Sequence, residues 1–193
     1  ADTVIDGFEW GSNSFVVNNA MVMAYAYDIT DDVKYMNGVT TAMDYLFGCN
    51  PLSVSYVTGY GSYSISRPHH RYWSNELDKT LPMAPDGVMS GGANAGLQDP
   101  YVRALGFIPG AKGNPSERCY VDSIEAWSTN EVTINWNAPF AWVVSFLQDE
   151  AADASTSDKL VVTPKSLDME VGDEETLEPK VNGEKADATF KTS

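Results

Sequence analysis

Apolar residues near the start of the chain recur at Val17, Ala20, Met21, Ala24 and Tyr25. That i, i+3, i+4 spacing predicts an amphipathic helix, with Ser12 or Asn13 placed to cap it. A second stripe, Met36, Val39, Met43 and Leu46, follows Thr30-Asp31-Asp32. The tripeptide reads as a helix start whose carboxylates favour the positive N-terminal end. Gly48 and then Asn50-Pro51 predict the stop. The methionines on both stripes read as core. Residues 51–118 carry glycine and proline with little periodicity, a long irregular stretch of the kind that holds function. A last helix is predicted from Asn137 through Trp142, Val143 and Phe146, with Pro139 in its first turn.

Beyond that helix the pattern changes. All five tryptophans and all ten tyrosines precede residue 143. Residues 151–158, small and acidic, read as a linker. Residues 159–193 hold three short alternating segments, Leu160–Pro164, Leu167–Asp173 and Thr176–Val181, which predict strands and turns. Three short strands are marginally stable alone, so this part is expected to be incomplete. Two or three helices with long loops do not close a core either. The front of the chain, residues 1–150, is therefore expected to be a segment of a larger helical array.

Composition narrows the function classes. The chain has 193 residues, 43% of them apolar and 11% aromatic, enough to bury a sizeable core. A net charge of −15 argues against nucleic acid as a partner, since phosphates would be repelled. It agrees with a secreted, extracellular protein acting on a neutral polymer. No run of eighteen apolar residues occurs, so no membrane contact is predicted. The chain begins Ala1-Asp2 without a signal peptide, which reads as a processed or truncated piece. Cys49 and Cys119 are too few for a disulfide scaffold, and one bridge or two thiols both fit.

The candidate chemistry lies in two stretches. In 120–138, Asp122 and Glu131 stand among Trp127, Trp136, Asn130 and Asn137. Flat aromatic faces suit pyranose rings, amides suit hydroxyls, and an acid can protonate a leaving oxygen. In the other, Arg67, His69, His70 and Arg71 crowd next to Trp73. So many cations side by side suit a polar cleft that receives an oxygen-rich group. Adjacent histidines do not share one metal without a third ligand, and no spacing supplies it, so no metal site is assigned. Asp-rich turns such as 28–32 are weak calcium candidates.

Ser55-Tyr56-Val57-Thr58 with Gly61 and Pro68-His69-His70-Arg71 resembles the first motif of glycoside hydrolase family 9, the inverting cellulases. Tyr120, Asp122, Trp127, Glu131, Thr133, Asn137 and Ala138 are similar to its second motif. Trp10–Ser14, Asp44–Pro51 and Gly91–Asn94 look like further family blocks in order. The resemblance covers residues 6–149. The stretches Leu97–Pro100 and Cys119–Ala138 look nearest to the branch of cellobiohydrolases and endoglucanases that carry an N-terminal Ig-like domain. Tyr63 and Ala93 depart from the pattern, and the family's Asp-Ala-Gly-Asp block, source of the general base, does not occur. Residues 159–193 resemble the start of a bacterial Ig-like domain of group 2.

The resemblance implies a mainly α fold, the C-terminal segment of an (α/α)6 barrel, followed by a partial β-sandwich. It implies hydrolysis of β-1,4-glucosidic bonds in cellulose with inversion, no required cofactor, and calcium as an admissible ligand. Glu131 would be the general acid and must hold a proton near neutral pH, helped by Trp127 and Trp136. His69 and Arg71, with His70, would bind the sugar at the cleavage point. Asp122 would orient the acid or the arginine, and Trp73 and Trp136 would stack on sugars. Without the base the chain alone is expected to be inactive. A non-catalytic carbohydrate-binding or scaffold module is the rival reading, and a different glucan as substrate is the third.

Overall fold

The structure, a computed structural model, describes residues 7–107, 115–156, 160–163, 178–181 and 184–185. The chain divides into two compact units, 1–147 and 148–193.

Helix α1, Ser12–Thr30, buries Val17, Ala20 and Ala24 of the predicted stripe and Val16 beside them, while Met21 is half-buried and Tyr25 exposed. Neither Ser12 nor Asn13 is its cap. Gly11 takes that position at φ 80, a left-handed conformation in which glycine alone is unstrained. Ser12 and Asn13 lie buried inside the first turn and bond outward instead. Ser12 Oγ donates to the Ala93 carbonyl (2.7 Å), Asn13 Nδ2 to that of Ser90 (2.9 Å) and Asn13 N–H to that of Gly91 (2.9 Å). The helix end is thereby tied to the loop at 90–93.

Helix α2, Val33–Leu46, packs on α1 and buries Val39, Met43 and Leu46. Its cap is Asp32, which accepts from Lys34 N–H, whereas Thr30 is the last residue of α1. Gly48, at φ 124, follows the stop as expected. Two short helices, α3 (Pro100–Ala104) and α4 (Trp127–Asn130), interrupt the long loops.

Helix α5 spans Ile134–Thr156 and differs from the prediction at both ends. It starts three residues early, so Pro139 lies inside the helix, where it has no N–H to give the carbonyl of residue 135. It also continues through most of the expected 151–158 linker. Alanine-rich sequence is small and plain, which reads as linker, but alanine is also the strongest helix former.

The main core joins α1, α2 and Phe140, Val143 and Phe146 of α5 to Tyr56, Val57, Ile65, Met89, Ala93 and Tyr120 from the loops. A second cluster, Leu97, Val102, Cys119 and Ala126, lies under α3 and α4. No disulfide joins the cysteines: Cys49 is exposed, while Cys119 is buried with its thiol 3.6 Å from the Pro115 carbonyl.

In the second unit, β1 (Leu160–Thr163), β2 (Glu178–Val181) and β3 (Glu184–Lys185) form an antiparallel sheet in that order. Leu160 pairs with Val181 and Val181 with Glu184, and Pro179 sits beyond the reach of β3. The segment predicted at 167–173 lies outside the described residues. Among the described residues no helix is long and apolar enough to cross a membrane.

Candidate active site

Four stretches of backbone that are far apart in sequence are stitched side by side. Val57 bridges Met89, and Ser90 N–H donates to the Tyr56 carbonyl at 3.0 Å. Gly92 and Gly91 N–H donate to the carbonyls of Thr129 and Glu131, both at 2.9 Å. Glu131 in turn forms a parallel bridge with His69, whose N–H donates to the Asn130 carbonyl at 2.7 Å. Residue 131 is thus held between the histidine turn and the double-glycine loop. Asn137 braces the loop from α5, with Oδ1 accepting from Met89 N–H (2.9 Å) and Nδ2 donating to the Met89 carbonyl (3.0 Å). Motif residues Ser55, Tyr56 and Val57 are buried scaffold.

A second layer fixes the turn. The Asp122 carboxylate accepts from Ser66 N–H (2.8 Å) and Arg67 N–H (2.9 Å). It also accepts from Asn130 Nδ2 at 3.1 Å, and the same amide nitrogen donates to the Arg67 carbonyl at 2.6 Å. Asn130 Oδ1 accepts from the Tyr120 hydroxyl, which also meets Ser90 Oγ at 3.1 Å. Burial pushes the Tyr120 phenol well above its usual range, so it stays a neutral donor. Asp122 therefore orients the backbone that leads into the turn. Its hydrogen bonds go to Ser66, Arg67 and Asn130, not to Glu131 or Arg71 as the resemblance implied.

His69 Nδ1 lies against the Ile124 carbonyl. A carbonyl only accepts, so Nδ1 carries a proton and Nε2 is left for a ligand. His69, His70 and Arg71 line an open groove of about 490 Å³ with Trp127, Tyr101 and Glu125. Glu131 is half-buried and joins the groove through its backbone bridge to His69, but is not among the residues that line it; Arg71 is exposed.

The tryptophans separate. Trp73 stacks on His70 (centroids 4.1 Å apart) but lines a different cavity. Trp136 packs on the main core and so tightly over two glycines that a Cβ at Gly11 or Gly91 would come within 2.7 Å of its ring. Trp127, which reads equally as core, lines the groove and packs against Trp10 at 5.1 Å. Tyr101 and Glu125 escaped the sequence reading. Glu125 stands two positions before Trp127 in the second motif, which is a usable signal. Tyr101 lies in the short helix α3, where no periodicity marks it. Among the described residues no group of three or more His, Cys, Asp or Glu side chains is arranged to hold a metal ion.

A helical domain whose loops gather histidine, arginine, carboxylates and aromatics around one groove has the makings of a carbohydrate-active enzyme. The sequence profile of Glycosyl hydrolase family 9 matches residues 2–144, and the chain belongs to that family. It is 46% identical over 143 residues to Cellulose 1,4-beta-cellobiosidase of Acetivibrio thermocellus, covering 74% of this chain and 16% of that protein. It is 41% identical over 169 residues to Endoglucanase C of Cellulomonas fimi, covering 85% of this chain and 15% of that protein. Among solved structures, AaCel9A in complex with cellobiose-like isofagomine matches with a TM-score of 0.62 and 36% identity, over 74% of this chain and 26% of that one. The structural neighbours are (α/α)6-barrel enzymes. The chain thus spans only a small part of the relatives it matches.

Proposed function

We propose that the polypeptide carrying this chain hydrolyses β-1,4-glucosidic bonds of cellulose or a related β-glucan, outside the cell, with inversion. The observation that carries this reading is the backbone pairing of Glu131 with His69 beside the groove lined by His69, Arg71 and Trp127. Glu131 is the general acid that protonates the leaving glycosidic oxygen. His69 Nε2 and the fixed fork of Arg71 hold the hydroxyls of the sugar at the scissile bond. Trp127 offers an apolar face to a ring.

A water attacks the opposite face, activated by a base carboxylate about 6.5–9.5 Å from the acid. That carboxylate is supplied by residues outside these 193, because the family's paired-aspartate block is not among them. Hydrolysis of this kind needs no cofactor, and calcium is an admissible ligand. Residues 159–193 are read as the start of an Ig-like domain, a reading supported by the antiparallel order of β1–β3.

The test is Glu131→Gln in the full polypeptide. Turnover of cello-oligosaccharides falls by about 10²–10⁴-fold, the usual worth of a positioned acid. Calorimetric affinity for the same oligosaccharide stays close to that of the parent. Near-normal turnover rejects the assignment. Binding with no turnover in the parent polypeptide points instead to the non-catalytic module.

A further inference from the structure

Sharing Ile124 with the groove is a second cavity of about 280 Å³, lined in part by Arg67, Trp73, Asn75, Glu76, Lys79 and Ile124. Its rim is pre-set. Arg67 Nη1 meets Glu76 Oε1 at 3.1 Å, Lys79 Nζ lies 3.5 Å from Asn75 Oδ1, and Asn75 Nδ2 donates to the Leu81 carbonyl at 2.8 Å. The backbone of Arg67 is clamped by Asp122 and Asn130, the same pair that fixes the histidine turn. Two residues join cavity and groove. Ile124 lines both and accepts from His69 through its carbonyl, and half-buried Trp73 lines the cavity while stacking on groove-lining His70.

The chemistry of the cavity selects its ligand. Two cations and one carboxylate offer both donors and acceptors, which suits vicinal hydroxyls better than an apolar molecule. A polyanion is disfavoured by the net charge of −15. The indole supplies the flat apolar surface that the C–H side of a pyranose covers. The volume sits at the small end of ligand pockets, enough for a single unit and not for a chain. We propose that this cavity is an accessory saccharide site, holding one neutral hexosyl unit of a glucan outside the cleavage groove. The proposal rests on the glucan reading given above.

The experiment uses the full polypeptide carrying Glu131→Gln, so that polymer is bound and not consumed. Adding Glu76→Ala or Lys79→Ala lowers partition onto insoluble cellulose by about five- to tenfold, the scale of one charge-assisted hydrogen bond. Trp73→Leu lowers it as well. In the otherwise parental enzyme, Glu76→Ala and Lys79→Ala leave kcat/KM on soluble cellotetraose within about twofold, since surface changes away from a site act weakly. Unchanged partition overturns the accessory site. A parallel loss on cellotetraose overturns it too, by making the cavity part of the cleavage groove. If the parental enzyme does not cleave cellotetraose, the glucan reading itself has failed, an outcome distinct from both.

Discussion

At Asn130 one buried carboxamide meets the Arg67 carbonyl, the Asp122 carboxylate and the Tyr120 hydroxyl, while its backbone carbonyl receives His69 N–H. Asn130→Asp keeps the shape and replaces the donor by an acceptor facing Asp122. The new carboxyl is buried against a like charge, so its pKa in the folded protein is raised above the ordinary carboxylate value. Stability is then greatest below that ordinary value and is lost as pH rises through the raised one. Denaturant unfolding is expected to show a loss of about 2–4 kcal/mol at neutral pH, recovering in part near pH about 4. Loss that is flat with pH rejects the account.

The tyrosines give a contrasting pair. The buried hydroxyl of Tyr56 makes no well-formed hydrogen bond and faces only the Tyr45 hydroxyl, whereas that of Tyr120 is bonded to Asn130 and Ser90. Tyr56→Phe is expected to leave stability unchanged or raise it by up to about 1 kcal/mol, and Tyr120→Phe to lower it by about 1–3 kcal/mol. Equal effects in urea unfolding count against the network. In the sequence both are simply motif aromatics, because the partners that satisfy Tyr120 lie 10 and 30 positions away.

Among the elements, the double-glycine loop joins α1 to residue 131. Gly92 lies at φ +91, and a Cβ there would meet Asn13 Cγ at 2.5 Å, on a side chain already buried. Gly92→Ala is expected to cost about 1–3 kcal/mol, through backbone strain and displacement of Asn13. The measurement is the denaturation midpoint of the same polypeptide, and a wild-type midpoint excludes the strain. The stripes of α1 and α2 were legible in the sequence because period and burial coincide, as at Val39, Met43 and Leu46. The helix starts were not. Ser12 and Asn13 look like caps, yet tertiary bonds to Ala93 and Ser90 claim their side chains and a left-handed glycine does the capping. In α5 the alanines that suggest a linker simply extend the helix.

For the molecule as a whole, the polar motifs announced the chemistry better than the geometry. That residue 131 stands beside the histidine turn was expected from two motifs being read together, whereas its backbone bridge to His69 was not. The separation of Trp73 from the groove and the packing of Trp136 over Gly11 and Gly91 could not be read, since ring placement is set by non-local contacts. Three tyrosines, Tyr56 and Tyr120 buried and Tyr45 partly so, also set a limit in alkali. Burial pushes Tyr45 up from 10.0 to about 12, and raises Tyr56 and Tyr120 as well. Their contribution is intact below the unfolded value of about 10 and disappears as pH climbs through the folded values. Above pH about 10, the last step in tyrosinate absorbance is expected to coincide with loss of near-ultraviolet circular dichroism, and Tyr45→Phe to delay that step. Complete tyrosinate formation in a protein that keeps its dichroism contradicts this.

The mooring of residue 131 through its own peptide groups has a practical outcome. His69 N–H holds the Asn130 carbonyl just before it and Gly91 N–H holds the carbonyl of residue 131 itself, so truncating the side chain vacates a carboxyl-sized space without loosening the walls around it. A Glu131→Gly enzyme should then accept formic acid in the vacancy and regain part of its rate as formate is added, a chemical rescue that a flexibly hung catalytic loop would not permit.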